Sequence, residues 1–597
     1  MAESKRTYSP SDAINRLRTS LAERLATIYA DEPVDRPALL EKLVERTAQA
    51  AERLESAGRP SEDSSPGSLW NERDVLLITY GDQVETLRRP AMAALDEFLR
   101  RYDLQEVLRY VHLLPFYPYS SDDGFSVIDY RQVEPTMGDW PDVERLGQNF
   151  RLTFDLVLNH CSAKSEWFRR FLASESPYDE YFVTSDPASD LSQVVRPRSL
   201  PLLTEFQTTT GPRHVWTTFS ADQVDLNFRS PHVLLEMVDI LLGYAERGAR
   251  MIRLDAIAYL WKEVGTSCIH LPQTHAVVKL LRDVVDALPV NVLLLSETNV
   301  PHRENLSYFG AGDEAHIVYQ FSLPPLLLDA SLSGDSTYLY EWLHGVGQAP
   351  ENATFLNFTA SHDGIGVRPL EGLVPDQRIY QLGQAVLARG GRINTRRRPD
   401  GSDSPYELNI TYFDALDADS SLPPDLHVRR FLTTQAIMLA LKGLPAVYFQ
   451  SLVGGRNDYE GLERSGHNRR INRRKFDLGE LCGTLDDSST TQHAVFSNYR
   501  RLLARRNTLA PLHPNGAQRP IDLGSPRLLG VERTSVDGAS RLLLLANFEG
   551  ESAQATLPPE LRDGNWSDAF DGSSVGESSS VRLEPYGFRW LIENGRT

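Results

Sequence analysis

Eight short, β-rich apolar runs recur along the middle of the chain, each separated from the next by a longer segment. They are VLLITY (75–80), YVHLLPF (110–116), LTFDLVLN (152–159), ARMIRLDA (249–256), NVLLLSE (291–297), HIVYQF (316–321), TFLNFTA (354–360) and PAVYF (445–449). A strand that is apolar along its whole length, rather than at alternate positions, has to be covered on both faces. Helices crossing between parallel strands achieve that. Eight such units predict an α/β fold, a closed (β/α)8 barrel. Polar residues cluster directly after the runs, where a barrel of this kind assembles its active site.

Ile14, Leu17, Leu21, Leu25 and Ile28, then Leu39, Leu40, Leu43 and Val44, recur at helical spacing on either side of Pro33 and Pro37. They predict a helical N-terminal extension, followed by a Ser-, Pro- and Gly-rich connector over Ser56 to Ser68. Extension and connector occupy 1–70 and the catalytic barrel 71–526. Within the barrel, the stretches at about 161–228 and 364–426 are too long for simple connections and read as inserted subdomains over its mouth. RLLGVERT, SRLLLLANFE and SVRLEPYGFRWLIE, punctuated by DG and EG, predict a small C-terminal β-domain over 527–597.

Acidic residues outnumber basic ones by 81 to 62, and the net charge of −19 argues against nucleic acid as a partner. Cys161, Cys268 and Cys482 are odd in number and lack metal-ligand spacing, which suits a reducing compartment. The N-terminus has no signal-peptide-like apolar stretch, and no run of about 20 apolar residues predicts a membrane span. The expectation is a cytoplasmic protein that acts on small molecules, with oligomeric state left open.

Three acidic residues stand at or just past strand ends: Asp255 in MIRLDA, Glu297 in LLLSET and Asp363 in TASHDG. Glycoside cleavage with retention needs one carboxylate to attack the anomeric carbon and a second, protonated, to give its proton to the leaving oxygen. A lone acid after an apolar run is more often a cap or loop residue, so the flanking words matter. Arg253, two residues before Asp255, shares its face of the strand and should keep that carboxylate ionised. Whichever of the three gives the proton needs burial and a neighbouring negative charge to hold it near neutral pH; for Glu297 that charge would come from Asp363 or Asp255.

FDLVLNH, RLDA, SETN and SHDG follow one another in the order and strand context of the four signature regions of glycoside hydrolase family 13, the α-amylase superfamily. The chain resembles that family over about residues 75 to 475. The resemblance implies Asp255 as nucleophile, Glu297 as general acid/base and Asp363 as the third carboxylate. It also implies that His160 and His362 donate to hydroxyls of the bound glucosyl unit. Asn159 matches a position that helps bind calcium in many amylases.

HLLPFYPYSSDDGFSVIDY, FSADQVDLN, RLDAIAYLWKEVGTSCIHLPQTH and HNRRINRRKF are similar to the sucrose phosphorylase subgroup, whose members work without a metal. That likeness implies no metal and no cofactor, with inorganic phosphate as co-substrate. It places Asp122 and Phe125 on the glucosyl pocket, Phe219 and Gln223 near it, Tyr259 past the nucleophile and Arg473 on the far hydroxyls. A pocket closed at its inner end takes one glucosyl unit of a small α-glucoside. Asp123 stands where the subgroup usually carries a basic residue.

The loops VVRPRSLPLLTEF and HDGIGVRPLEGL are more like the subgroup's relatives acting on glucosylglycerate, glucosylglycerol or sucrose 6'-phosphate than like plain sucrose phosphorylases. Arg196, Arg198 and Arg368 in those loops are candidate ligands for phosphate or the acceptor. Arginines in long loops also pair with acids such as Glu371, and the run 392–401 reads as an exposed basic tip. The expected reaction is phosphorolysis of a small α-glucoside to α-glucose 1-phosphate, with glycerol or glycerate favoured as acceptor over fructose 6-phosphate and fructose. A hydrolase or transglucosidase would differ by showing no gain in turnover from phosphate. An inactive sugar-binding barrel would not need all three of Asp255, Glu297 and Asp363.

Overall fold

All eight apolar runs are strands of one closed, all-parallel barrel. They are β1 (Leu76–Thr79), β2 (Tyr110–Leu113), β3 (Arg151–Val157), β4 (Ala249–Asp255), β5 (Leu293–Ser296), β6 (Ile317–Tyr319), β7 (Thr354–Asn357) and β8 (Leu444–Tyr448). Each strand pairs with its sequence neighbours and β8 closes on β1 through Leu76↔Ala446. Nearly every strand residue is buried, as expected for strands with helices outside and packed side chains within. The computed structural model describes residues 10–57, 69–197, 200–397, 403–417, 422–562, 564–575 and 580–593.

The N-terminal segment forms two helices, α1 (Pro10–Ile28) and α2 (Arg36–Ser56), the second capped by the Asp35 side chain accepting from Ala38 N–H. Leu17, Leu21, Leu25 and Leu43 join the main hydrophobic core, so the extension is built onto the barrel. Arg24 pairs with Asp283, and Arg46 with Asp239, on the two barrel helices beneath, α3 (Pro231–Glu246) and α4 (Pro272–Asp286).

Both long stretches carry structure of their own over the barrel's C-terminal face. After β3, strand His160–Ser162 pairs antiparallel with Gln223–Asp225, and a hairpin runs over Leu203–Thr208 and Gly211–Trp216. After β7, a three-stranded sheet of Ile365–Gly366, Asp403–Asn409 and Arg392–Arg397 packs beside the helix Asp376–Ala388. The basic run is therefore strand up to Arg397, and Arg396 supplies the ion pair to Glu371; residues 398–401 lie outside the described residues.

The C-terminal five-stranded sheet begins at Ala517–Ile521, upstream of the expected boundary at 527. Pro520 obscures that strand in the sequence, yet an edge strand tolerates proline because one side makes no ladder bonds. Among the described residues, no helix is long and apolar enough to cross a membrane.

Candidate active site

Register between β3 and β4 sets the charged centre of the barrel mouth. Asp155 lies opposite Arg253, and Val157 opposite Asp255. Side chains two apart on a strand share a face, so Arg253 and Asp255 meet on the same side. Arg253 Nη1 donates to Asp255 Oδ1 at 2.7 Å and also to Asp155, while its Nη2 stands 3.9 Å from Glu297 Oε1. His112 Nε2 is 2.6 Å from the other oxygen of Asp155. Immediately after Asp255, Ala256 adopts a left-handed conformation, φ 51° and ψ 32°, which non-glycine residues seldom take. That turn aims the Ala256 N–H at Glu297 Oε2, 3.1 Å away.

Burial pushes the carboxyls of Asp255 and Glu297 above their ordinary range. Arg253 opposes the shift of each, whereas Asp363 adds to both. The sequence predicts that Arg253 holds Asp255 ionised by charge pairing. The ion pair forms, but Arg253 is shared with Asp155, and burial beside Glu297 outweighs it. Two buried carboxyls this close titrate as a pair and hold a proton between them. The nearer guanidinium contact, 2.7 Å against 3.9 Å, favours charge on Asp255 and the proton on Glu297. Asp363 behaves oppositely: burial resists its ionisation, but Arg469, His362 and Arg473 outweigh that and hold it well below the usual range.

Asp255, Glu297 and Asp363 line one cavity together with Arg253 and Tyr259. Its other end is lined by Asp122, Phe125, His160, Phe219, Gln223 and His362. The loop that supplies Asp122 and Phe125 turns through three left-handed residues, Asp122, Asp123 and Gly124. A Cβ on Gly124 would stand 2.4 Å from Pro115 O, so only glycine fits there. Phe125 stacks on His362, with centroids 4.8 Å apart and planes 5° from parallel. His160 is fixed by the antiparallel pair that sets it opposite Asp225, and its Nε2 lies 3.0 Å from Phe125 O. Burial lowers the pKa of His160 to about 4 and of His362 to about 3, so both are neutral near pH 7 with a single N–H each, and that of His160 is directed at Phe125 O.

Arg473 does not reach the cavity. It lies buried behind the inner end, where Nη1 pairs with Asp123 at 2.8 Å and stands 3.5 Å from Asp122, and Nε donates to His362 O. Asp123 needs no basic replacement, because Arg473 and Arg470 hold it, lowering its pKa to about 2 against the opposing effect of burial. The arginine that does line the cavity is Arg469, 2.7 Å from Asp363 Oδ1 and held on its far side by Glu407. In the run NRRINRR, spacing alone cannot tell which arginine faces the ligand.

On the open side, Arg196 is exposed and only its neighbour Pro197 lines the cavity; Arg198 lies outside the described residues. Arg368 is buried just behind Tyr259, close enough to hydrogen-bond its hydroxyl, and its Nε has no protein partner. Tyr406, which no motif flagged, and Asn299, the last residue of SETN, complete this side. Another residue missed from sequence is Lys262. Its Nζ sits 2.6 Å from Asn159 Oδ1 and 2.8 Å from Asp225 Oδ2, in the only oxygen-rich position that the sequence linked to calcium.

A (β/α)8 barrel with three carboxylates converging on a pocket walled at one end by aromatic and imidazole rings defines a glycoside-processing enzyme. The family description "Alpha amylase, catalytic domain" matches residues 107–365. Glucosylglycerate phosphorylase of Spirochaeta thermophila is 49% identical over 503 residues, 84% of this chain and 85% of that one. The Allomeiothermus silvanus protein of the same name is 44% identical over 97% of this chain and 99% of its own. In structure, sucrose 6F-phosphate phosphorylase from Thermoanaerobacter thermosaccharolyticum superposes with a TM-score of 0.69 at 26% identity, covering 81% of this chain and 94% of that chain. Phosphorylases named for sucrose and for glucosylglycerol are more distant relatives. The chain belongs to glycoside hydrolase family 13, on its glycoside phosphorylase branch, and is a glucosyl-transferring enzyme.

Proposed function

We propose that this enzyme is a retaining phosphorylase of α-glucosylglycerate, converting it with inorganic phosphate to α-glucose 1-phosphate and glycerate. The observation that carries glycerate over glycerol is the name shared by relatives at 49% and 44% identity. In the first step an Asp255 oxygen bonds to the anomeric carbon as the bond to the glycerate oxygen breaks, and the Glu297 proton goes to that oxygen. In the second, a phosphate oxygen displaces Asp255 from the same carbon and the phosphate proton returns to Glu297. Two inversions preserve the α configuration. Glucosyl hydroxyls meet Asp122, His160, Gln223 and His362 at the walled end, while the acceptor and phosphate share the side of Tyr259, Asn299 and Tyr406. Phosphate-dependent release of glucose 1-phosphate from a panel of glucosylglycerate, glucosylglycerol, sucrose and sucrose 6'-phosphate tests the assignment. Preference for any donor but glucosylglycerate would refute it.

Arg368 is the cation best placed for an anionic acceptor, being buried, beside Tyr259 and with a free Nε–H. A charge-assisted hydrogen bond is worth about 1.5–3 kcal/mol, or roughly ten- to hundredfold in anion affinity. Arg368→Ala should raise the KM for phosphate and for glycerate by that factor, with glycerol as acceptor changed much less. Unchanged constants for both anions would exclude Arg368 from the acceptor site.

The proposal includes no metal and no cofactor. The ammonium of Lys262 already bridges Asn159 and Asp225, and supplies the positive charge that a cation would bring to those oxygens. Dialysis against a chelator should leave the rate unchanged. Lys262→Met should lower the melting temperature sharply, since stranding one partner of a buried ion pair costs about 3–5 kcal/mol. Activity lost to the chelator and restored by calcium would overturn this. A reducing, cytoplasmic location fits three buried, unpaired cysteines.

A further inference from the structure

We propose that Glu407, a buried carboxylate from the subdomain inserted after β7, is a positioning residue that holds Arg469 against Asp363 and offsets its charge. Glu407 lies on strand Asp403–Asn409, away from the cavity lining. Its Oε1 accepts from Gly364 N at 2.6 Å and Arg469 Nε at 3.0 Å, and its Oε2 accepts from Asn394 Nδ2 at 2.9 Å. One carboxylate thus fixes the backbone directly after Asp363 and the guanidinium that meets Asp363 at 2.7 Å. A Cβ on Gly364 would fall 2.5 Å from Glu407 Cγ, so the close approach demands glycine.

The arrangement accounts for an inserted sheet over the barrel mouth. A loop alone would leave Arg469 free to swing toward Glu297, whereas Glu407 anchors its Nε and keeps Nη1 on Asp363. Geometry of this kind has an electrostatic consequence. The groups facing Glu297 are Arg253 and Asp255 on β4, Asp363 after β7, Arg469 after β8, and the hydroxyls of Tyr259 and Tyr319. Arg469 draws the Glu297 proton off, and a negative Glu407 behind it weakens that pull.

The inference rests on Glu297 as the general acid, whose loss of a proton sets the basic limb of the pH profile. In Glu407→Gln, Arg469 keeps its charge without compensation, so the Glu297 pKa should fall and the basic limb of kcat/KM should move to lower pH. A drop of about tenfold in kcat/KM should accompany it, as the Asp363 contact loosens. Arg469→Gln should move the limb the opposite way. Glu407→Asp keeps the charge but withdraws it by one methylene, so kcat/KM should fall with the limb in place.

An unmoved limb in Glu407→Gln would overturn the proposal, leaving Glu407 a scaffold residue. Should Glu407→Gln not fold, wild-type kinetics in Glu407→Asp would overturn it equally. The basis is checked in the unmutated enzyme with α-glucosyl fluoride, which needs no protonation. A basic limb for the glucoside that is absent for the fluoride assigns the limb to Glu297. The same limb for both donors would refute the acid assignment itself.

Discussion

Asp255→Asn should lose turnover on every donor, α-glucosyl fluoride included, by on the order of 10^4-fold or more. Of the other carboxylates lining the cavity, Glu297 is needed as a proton donor, Asp363 is tied to Arg469, and Asp122 stands at the far wall beside Arg473. The fold should not suffer. Asparagine still accepts from Arg253, which keeps Asp155 as its charged partner. Burial together with Glu297 and Asp363 raises the Asp255 pKa in the folded protein. An acid whose folded pKa lies above its unfolded value of about 4 makes the protein less stable as pH rises past that value. At pH 7 the neutral variant should therefore melt at the same temperature as the parent enzyme, or higher. Measuring the melting temperature beside initial rates separates this outcome from unfolding. Substantial turnover of a good donor by well-folded Asp255→Asn would refute the nucleophile.

The barrel was legible because burial on both faces writes itself into each strand as an uninterrupted apolar run, and all eight runs fall in the closed sheet. The carboxylates were legible for a related reason. A strand end fixes where the next side chain goes, so Asp255 and Glu297 could be placed from LDA and SET without the loops. Residues on the open side were not. Tyr406 and Arg469 reach the cavity, and Glu407 backs it, in directions that depend on how the inserted sheet docks, and no local spacing encodes that. Arg473 shows the limit within a single motif. It stands four residues from Arg469, yet a 3-10 turn over Asn468–Asn472 sends one arginine to the cavity and the other behind it.

The charge balance of the pocket also escaped sequence, because it depends on sharing. Arg253 divides its bonds between two aspartates, and Arg469 lies between Asp363 and Glu407. Arg368 stands behind Tyr259, outside the cavity lining, with a buried Nε free of a protein partner.

Glu297→Gln should divide the reaction according to which steps move a proton. An alkoxide leaves poorly without protonation, so turnover of the glucoside should fall by roughly 10^2- to 10^4-fold, the usual worth of a general acid. Fluoride leaves without a proton, so glucosylation of Asp255 from α-glucosyl fluoride should proceed at close to the parental rate. The two nucleophiles that release the glucosyl enzyme then behave differently. Water must lose a proton as it attacks and depends on Glu297 as base, whereas phosphate already carries a negative oxygen. With α-glucosyl fluoride the variant should therefore make glucose 1-phosphate in the presence of phosphate, and stall as the covalent glucosyl enzyme when phosphate is withheld. Glutamine keeps an oxygen for the Ala256 N–H, so the cavity should retain its shape. Fluoride release with and without phosphate, together with the mass of the intact protein, reads all three expectations. Equal losses with the glucoside and the fluoride would remove Glu297 from the role of acid, and a phosphate-independent fluoride rate would show that water needs no base from this residue.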